Sequence, residues 1–451
     1  MNSKLYTNAQ NFYFWFSLFV FIGCLAFDRS FVGLVVGGFR FGELVVGISF
    51  ILSIVFIFTN RNLLNKLNLD DFVYNLNIFK IIIGTFLISC IYFNTNFTNT
   101  YTFKTSSYIW MISIFFGLIL VSEKFLKSTK LFKTLSIGLL FMPITHYLFS
   151  TGYYPNFIMD IFIKYSDKFN FTKASDVMIT LLIANILFMM ISKNKKYSLL
   201  YFSFSVPLLL PLLLEMSRGS FLAALFFYIF IVLTNSQYFK TNKKFLVIFL
   251  ISSSIFFIGS TYRIGGVNFD FSNDTNIVAD TSISGNLNKI AKKNETRKAF
   301  LSFYIEDGRV VSHDNTTNWR LDIWQDVVED LNTKEQILSG YGYNEIIPVM
   351  TDPSAPGRLG RDGLNEHVHS YAFNILARGG IIQLFLFIAF HSMLIFTWLK
   401  KNKDFKILGF IIPIFINSLT DMNMEGVQFP YMYYFFLGYL FIFYEKNKIS
   451  F

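Results

Sequence analysis

The chain predicts an all-α polytopic membrane protein of about twelve transmembrane helices, and three observations support that fold class. First, of 451 residues 53% are hydrophobic, 19% are aromatic and only 15% are charged, with a mean hydropathy of +0.47. These values exclude an ordinary soluble domain. Second, apolar spans can be drawn at 11–27, 42–58, 77–93, 106–122, 132–149, 176–192, 198–214, 219–234, 244–260, 379–399, 405–420 and 427–444. Each approaches the roughly 20 residues a helix needs to cross the hydrocarbon layer. Third, every second connection is basic: Arg61 and Lys66; Lys124, Lys127, Lys130 and Lys133; Lys193, Lys195 and Lys196; Lys240, Lys243 and Lys244; Lys400, Lys401, Lys403 and Lys406. With Lys4, Lys446 and Lys448 at the ends, this alternation predicts that both termini are cytoplasmic. It also accounts for the net charge of +10 without a nucleic-acid partner.

The first run, Phe12 to Phe27, lacks a small-residue cleavage site and is expected to stay as a span. Cys24 and Cys90 lie inside apolar runs, which offers neither a disulfide framework nor a metal–thiolate spacing. Phe31 to Gly38 is too short to span, so it can enter the membrane only where protein or water covers its backbone. Pro207 and Pro211 predict a kink in the seventh span. His146 and His391, both within spans, are expected to make helix–helix hydrogen bonds rather than to act chemically.

Three parts follow: spans one to nine in 1–261, a polar external segment in 262–366, and the last three spans in 367–451. The 105 residues from Tyr262 to Glu366 hold eleven basic and sixteen acidic side chains, a net −5 within a basic protein. Connections of that length are usually functional or disordered. From Trp319, the positions Leu321, Trp324, Val327, Val328 and Leu331 recur at helical spacing, opposite Asp322, Asp326, Glu329 and Asp330. An amphipathic helix is predicted, with Arg320 in its first turn, where the helix dipole disfavours a cation. Gly340-Tyr341-Gly342 then predicts a tight turn whose backbone N–H groups approach a ligand.

Candidate chemistry gathers around these features. Arg218 occupies a very short turn, Glu215 to Ser220, and is held at the bilayer surface, where the amphipathic helix can bring Arg320 over it. Two guanidinium forks suit a diphosphate whose charge grows as it leaves. The plain alternative pairs Arg218 with Glu215 and Arg320 with a loop carboxylate. His367 and His369 close the polar segment at Glu366-His367-Val368-His369-Ser370, where water, headgroup and protein meet. On a helix their side chains diverge, so a shared metal is not expected. A neutral histidine beside arginines can accept a hydroxyl proton, although one that merely caps the following helix reads the same. Asp28, in the first external connection, is a rival base.

The Ser-Arg-Gly turn at 217–219 before a span, the long external segment with its Arg/Trp helix and Gly-x-Gly turn, and the closing histidine together resemble the O-antigen ligase and O-antigen polymerase family. The ligase-type motif is matched by His369-Ser370, nine residues from Tyr371 to Gly379, and Gly380; three positions further on, Gln383 departs from the usual Gly, Thr or Tyr. The resemblance covers mainly residues 198–400. It implies a GT-C-like glycosyltransferase at the periplasmic face of a bacterial inner membrane, using an undecaprenyl-diphosphate-linked oligosaccharide without metal or cofactor. By that analogy Arg218 and Arg320 hold the diphosphate and His369 activates the acceptor. His367, Glu366, Gly340 and Gly342 complete the substrate site.

The acceptor is either a second lipid-linked glycan, for a polymerase, or lipid A-core, for a ligase, and Gln383 favours the polymerase. Membrane lipid, a chain-length regulator and a flippase are the further partners such a role implies. A lipid-linked oligosaccharide flippase or other transporter is the alternative of another class. Against it stand the lack of a repeat between the two halves and the scarcity of mid-span ionisable residues.

Overall fold

The computed structural model describes residues 3–59, 70–97, 100–121, 136–168, 172–192, 194–265, 302–355, 358–359 and 366–447. The basic positions expected at Arg61, Lys66, Lys124 to Lys133, Lys193 and Lys448 lie outside these residues, as does 266–301 of the polar segment.

An apolar run buried in hydrocarbon must satisfy its own backbone hydrogen bonds, and these runs do so as helices. In chain order they are α1 (Ser3–Val32), α2 (Phe41–Thr59), α3 (Asp70–Tyr92), α4 (Thr100–Thr105), α5 (Ser107–Leu120), α6 (Met142–Ser150), α7 (Asn156–Tyr165) and α8 (Ala174–Ile191). There follow α9 (Lys195–Met216), α10 (Arg218–Thr234), α11 (Ser236–Thr241), α12 (Lys243–Gly265), α13 (Asn315–Thr333), α14 (Tyr371–Asn402), α15 (Leu408–Thr420) and α16 (Gln428–Asn447). Two short hairpins complete the described elements: β1 (Val35–Val36) with β2 (Phe39–Arg40), and β3 (Phe303–Glu306) with β4 (Arg309–Ser312). Among the described residues, seven helices are long and apolar enough to cross a membrane: Tyr6–Val32, Phe41–Thr59, Phe72–Tyr92, Ala174–Ile191, Lys195–Met216, Lys243–Ile264 and Tyr371–Asn402. The shorter apolar helices Ser107–Leu120, Ser136–Ser150, Arg218–Thr234 and Leu408–Thr420 fall on four more of the expected spans.

α16 runs through the centre of the bundle. From Phe429 to Tyr439 its apolar and aromatic side chains are buried all round, the mark of a helix enclosed by others. α5 and α1 pack on it, with the Phe21 and Phe435 rings stacked 4.2 Å apart. α9 packs on α12, α10 on α15, and α14 on α3.

Several elements differ from expectation. α9 contains both Pro207 and Pro211 and is continuous across them. Phe31 to Gly38 ends α1 and turns into an exposed hairpin, with Leu34 bridged to Ser166. His146 makes the expected helix–helix bond, its Nε2 donating to Leu25 O at 2.7 Å, whereas His391 bonds Phe387 O within its own helix. The span placed at 379–399 is part of a longer helix that starts at Tyr371 and breaks at Gly380, where φ is 67°.

The amphipathic helix also starts earlier than Trp319, because Asp314 caps it by accepting from Thr317 N at 2.9 Å. Arg320 therefore sits in the second turn, beyond the strongest part of the dipole. Its buried face is Ile323, Val327 and Leu331, flanked by Trp319 and Trp324; Val328 is exposed. On the polar face, Asp322 and Asp326 are clamped between Arg309 and Arg358.

Candidate active site

The connections after α1, α3, α7, α9, α12 and α15 meet in one network of polar contacts. Arg40 pairs with Asp167, Asn96 N donates to Asn344 Oδ1 at 3.0 Å, and Lys173 Nζ lies 3.0 Å from Asp421 Oδ2. These are the connections that the charge alternation sets apart from the basic ones.

Arg218 is the first residue of α10, and Ser217 before it is the extended N-cap. Gly219 allows α10 to close on the end of α15, since a Cβ there would lie 1.8 Å from Thr420 Oγ1. This close approach fixes where Arg218 emerges. Its Nη1 lies 2.7 Å from Asp314 Oδ2, so the cap of α13 is also the partner of Arg218. Burial pushes the Asp314 carboxyl up, but its bonds to Arg218 and Thr317 outweigh that and hold it below the usual range.

α13 carries Arg320 toward the same place. Arg320 Nη1 donates to Thr420 O at 2.7 Å, and its buried Nε has no hydrogen-bond partner among the described residues. Burial and the nearby Arg218 lower its pKa, against the raising influence of Asp421 and Asp314. A guanidinium with a buried N–H left over is poised for an anionic acceptor.

His369 completes the group. Its φ of 52° is left-handed, a conformation that turns the chain sharply just before Ser370 and α14. The imidazole packs edge-on against Trp319, with centroids 5.1 Å apart. Burial first, then Arg320 and His367, pull its pKa down to about 4, so it is neutral at physiological pH. Trp324 Nε1 donates to Val368 O at 2.6 Å and pins the segment between the two histidines.

The other expected residues divide into two sets. Glu366 lies 3.1 Å from Lys104 Nζ, and His367 Nδ1 lies 3.1 Å from Glu425 Oε2. Gly340 and Gly342 have a different task from the ligand turn expected of them. Their φ values are 70° and 81°, and a Cβ on Gly340 would lie 2.5 Å from the Arg378 carbonyl group. Their N–H groups are already engaged: Gly340 N bonds Gln336 O at 2.7 Å and Gly342 N bonds Arg378 O at 3.0 Å. The turn is a seat for α14, with buried Arg378 reaching back to Glu345 O and to Tyr101 Oη at 2.5 Å. Gln383 belongs to the same seam, accepting from Tyr108 Oη at 3.0 Å and donating to Thr85 Oγ1 at 2.8 Å. Asp28 is buried beside His146, with Oδ2 3.5 Å from Nδ1, enclosed by helices instead of facing an acceptor.

Sequence reasoning missed Asp314, Asp421, Glu425, Lys104 and Lys173. One signal was present: Asp421 and Glu425 are the acids of a short connection between two apolar spans, the same position that singled out Arg218.

Fold and site together define a multi-pass membrane protein with two arginines and a neutral histidine gathered where its connections meet. A family model described as O-antigen ligase matches residues 203–388, which run from α9 to the first half of α14 and include Arg218, Arg320 and His369. Over those 186 of its 451 residues the chain is similar to the O-antigen ligase family. No curated protein matches the chain.

Proposed function

We propose that the chain is an O-antigen polymerase, transferring glycan from an undecaprenyl-diphosphate carrier to a hydroxyl of a second lipid-linked repeat unit. In this reading all twelve expected spans cross the inner membrane, both termini are cytoplasmic, and the gathered connections face the periplasm. Arg218 and Arg320 hold the diphosphate and stabilise the charge that grows as the C1–O bond breaks. His369 takes the acceptor proton, and attack from the face opposite the leaving group inverts the anomeric centre. His367 and Glu366 border the acceptor side, while Gly340 and Gly342 shape the site through the seat of α14. The reading requires neither metal nor cofactor.

The observation that carries it is the convergence of Arg218, Arg320 and His369 from three distant parts of the chain, with a buried Arg320 N–H that meets no acceptor among the described residues. A ligase acting on lipid A-core shares this donor chemistry and is the second reading. What supports the polymerase reading is the departure at Gln383, whose amide bonds Tyr108 and Thr85. Lipopolysaccharide from a deletion strain tests the choice. Loss of a polymerase leaves core carrying a single repeat unit, whereas loss of a ligase leaves bare core and accumulated lipid-linked polymer.

A further inference from the structure

α7 falls between two of the expected spans and belongs to neither. Its 10 residues rise about 15 Å, half the hydrocarbon thickness, so it cannot cross a membrane. Both of its ends are tied to the site end of the bundle. Ahead of it, Tyr153 Oη accepts from Arg263 Nη2 at 3.1 Å, and Arg263 stands in the last turn of α12 with its guanidinium 5.5 Å from the Tyr153 ring centre. Behind it, Ser166 bridges to Leu34 and its Oγ donates to Ser30 O at 2.8 Å, while Arg40 pairs with Asp167. α1 and α12 are both long and apolar enough to cross a membrane. A helix strung between their ends on one side lies along the surface, not through it.

The side chains of α7 fall into stripes that recur every fourth residue. Asn156, Asp160 and Lys164 form an exposed polar stripe. Ile158 and Phe162 face the bundle, with the buried Phe162 ring 5.2 Å from that of Phe27 in α1. Between these two stripes lie Phe157, Ile161 and Tyr165, which are 69%, 50% and 49% exposed, and Ile163 is exposed on the other side of the polar stripe. Contiguous apolar exposure beside a narrow polar stripe is the pattern of a helix lying in a membrane interface. Lys164 Nζ lies 4.9 Å from the centre of the Tyr165 ring, a cation and an aromatic at the boundary where lipid phosphates stand. Exposed Val35, Val36 and Phe39 of the β1–β2 hairpin, joined to α7 through Leu34 and Ser166, extend the surface. That surface is continuous with an exposed apolar stripe of α1, Phe12, Trp15 and Phe19, because Phe19 packs on Phe31 and Phe41 at the foot of the hairpin. A helix that spans must turn such a stripe to lipid, so the open face of α7 continues a lipid-facing surface.

We infer that α7 and the tip of the β1–β2 hairpin form a platform that rests in the lipid leaflet at the site end of the bundle. Phe157, Ile161 and Tyr165 enter the acyl region, Asn156 and Asp160 face water, and Lys164 meets lipid phosphate. The platform braces the end of α1 against the end of α12 and sets the depth of the leaflet beside the site. The Arg40–Asp167 pair, which adjoins it, then lies at headgroup level. This role is independent of the chemistry at Arg218, Arg320 and His369.

The test attaches a nitroxide label to Asn156→Cys, Phe157→Cys, Asp160→Cys, Ile161→Cys, Lys164→Cys and Tyr165→Cys, one at a time, in the full chain. Cys24 and Cys90 are buried, and the wild type treated alike supplies the background. In vesicles of phosphatidylcholine and phosphatidylglycerol, collisions with oxygen should exceed those with a water-soluble nickel chelate at the Phe157, Ile161 and Tyr165 positions. The order should reverse at the Asn156, Asp160 and Lys164 positions. Labels replacing Phe157 and Ile161 should lie about 5–10 Å below the phosphates, the depth of an interfacial helix. Nickel collisions dominating at all six positions overturn the platform, as does oxygen dominating at all six, which would mean full immersion. Neither reagent reaching Phe157 and Ile161, because a second copy covers them, overturns it too. The unsubstituted protein gives a second measurement: a lipid with a diazirine on its acyl chain should, on photolysis, leave adducts on Phe157, Ile161 or Tyr165. Adducts on α1 and α2 with none on α7 would contradict the platform.

Discussion

Arg218 Nη1 lies 2.7 Å from Asp314 Oδ2, the same oxygen that caps α13 by accepting from Thr317 N at 2.9 Å. One carboxylate thus both starts the helix that delivers Arg320 and occupies the arginine that is proposed to hold the donor. A diphosphate arriving at Arg218 competes with Asp314.

Asp314→Asn separates these tasks, because Asn caps a helix about as well as Asp but carries no charge. Donor KM should fall between about two- and five-fold, the range of a partly exposed ion pair, with the melting temperature little changed. Steady-state kinetics in proteoliposomes measure this, and an unchanged or raised KM would count against competition.

At Arg320 the guanidinium geometry carries the argument. It bonds Thr420 O through Nη1 while its buried Nε meets no acceptor among the described residues, an arrangement an ammonium cannot reproduce. Arg320→Lys should keep the positive charge yet lower turnover by about 100-fold, comparable to losing one transition-state donor. Turnover within a few-fold of wild type would show that charge alone suffices.

His369 gives a pH signature with a definite sign. Its folded pKa of about 4 lies below its ordinary value of 6.5, so the unfolded chain binds more protons between those limits. Stability from this group is full above about 6.5 and falls as pH drops toward 4. His369→Gln removes the titrating group and should lose less melting temperature than wild type between pH 7.5 and pH 4.5. Parallel losses in the two proteins would contradict the buried, neutral histidine.

Gly340→Ala tests the seat of α14. The positive φ and the 2.5 Å approach to the Arg378 backbone leave no room for a methyl group, and that neighbour is main chain. The substitution should cost more than about 1 kcal/mol and lower the melting temperature in detergent. Gly138→Ala, where a Cβ meets nothing within 4 Å, is the control and should be far milder.

Much of the helical architecture was legible because a bilayer enforces it: long apolar runs satisfy their backbone as helices. Arg218, Arg320 and His369 stand out in the sequence as polar groups held beside apolar spans, and the structure brings them together. What the sequence hid was pairing across long separations. Nothing near Arg218 names Asp314, 96 residues on, and nothing near His367 names Glu425. Gly340 and Gly342 were misread because a positive φ serves a close backbone approach as readily as a ligand, and composition cannot tell which. The cap at Asp314 was overlooked because the helix pattern was counted from Trp319, although an Asp followed three residues later by Thr was in plain view.

The most direct test of the central claim is the glycan chain-length distribution of a deletion strain complemented with Arg218→Ala, Arg320→Ala or His369→Ala, with membrane levels of each protein verified. Glycosyl transfer at this site predicts that each variant fails to restore long chains while the wild-type gene does. Long chains at wild-type length from all three variants would contradict it and move the chemistry elsewhere in the protein.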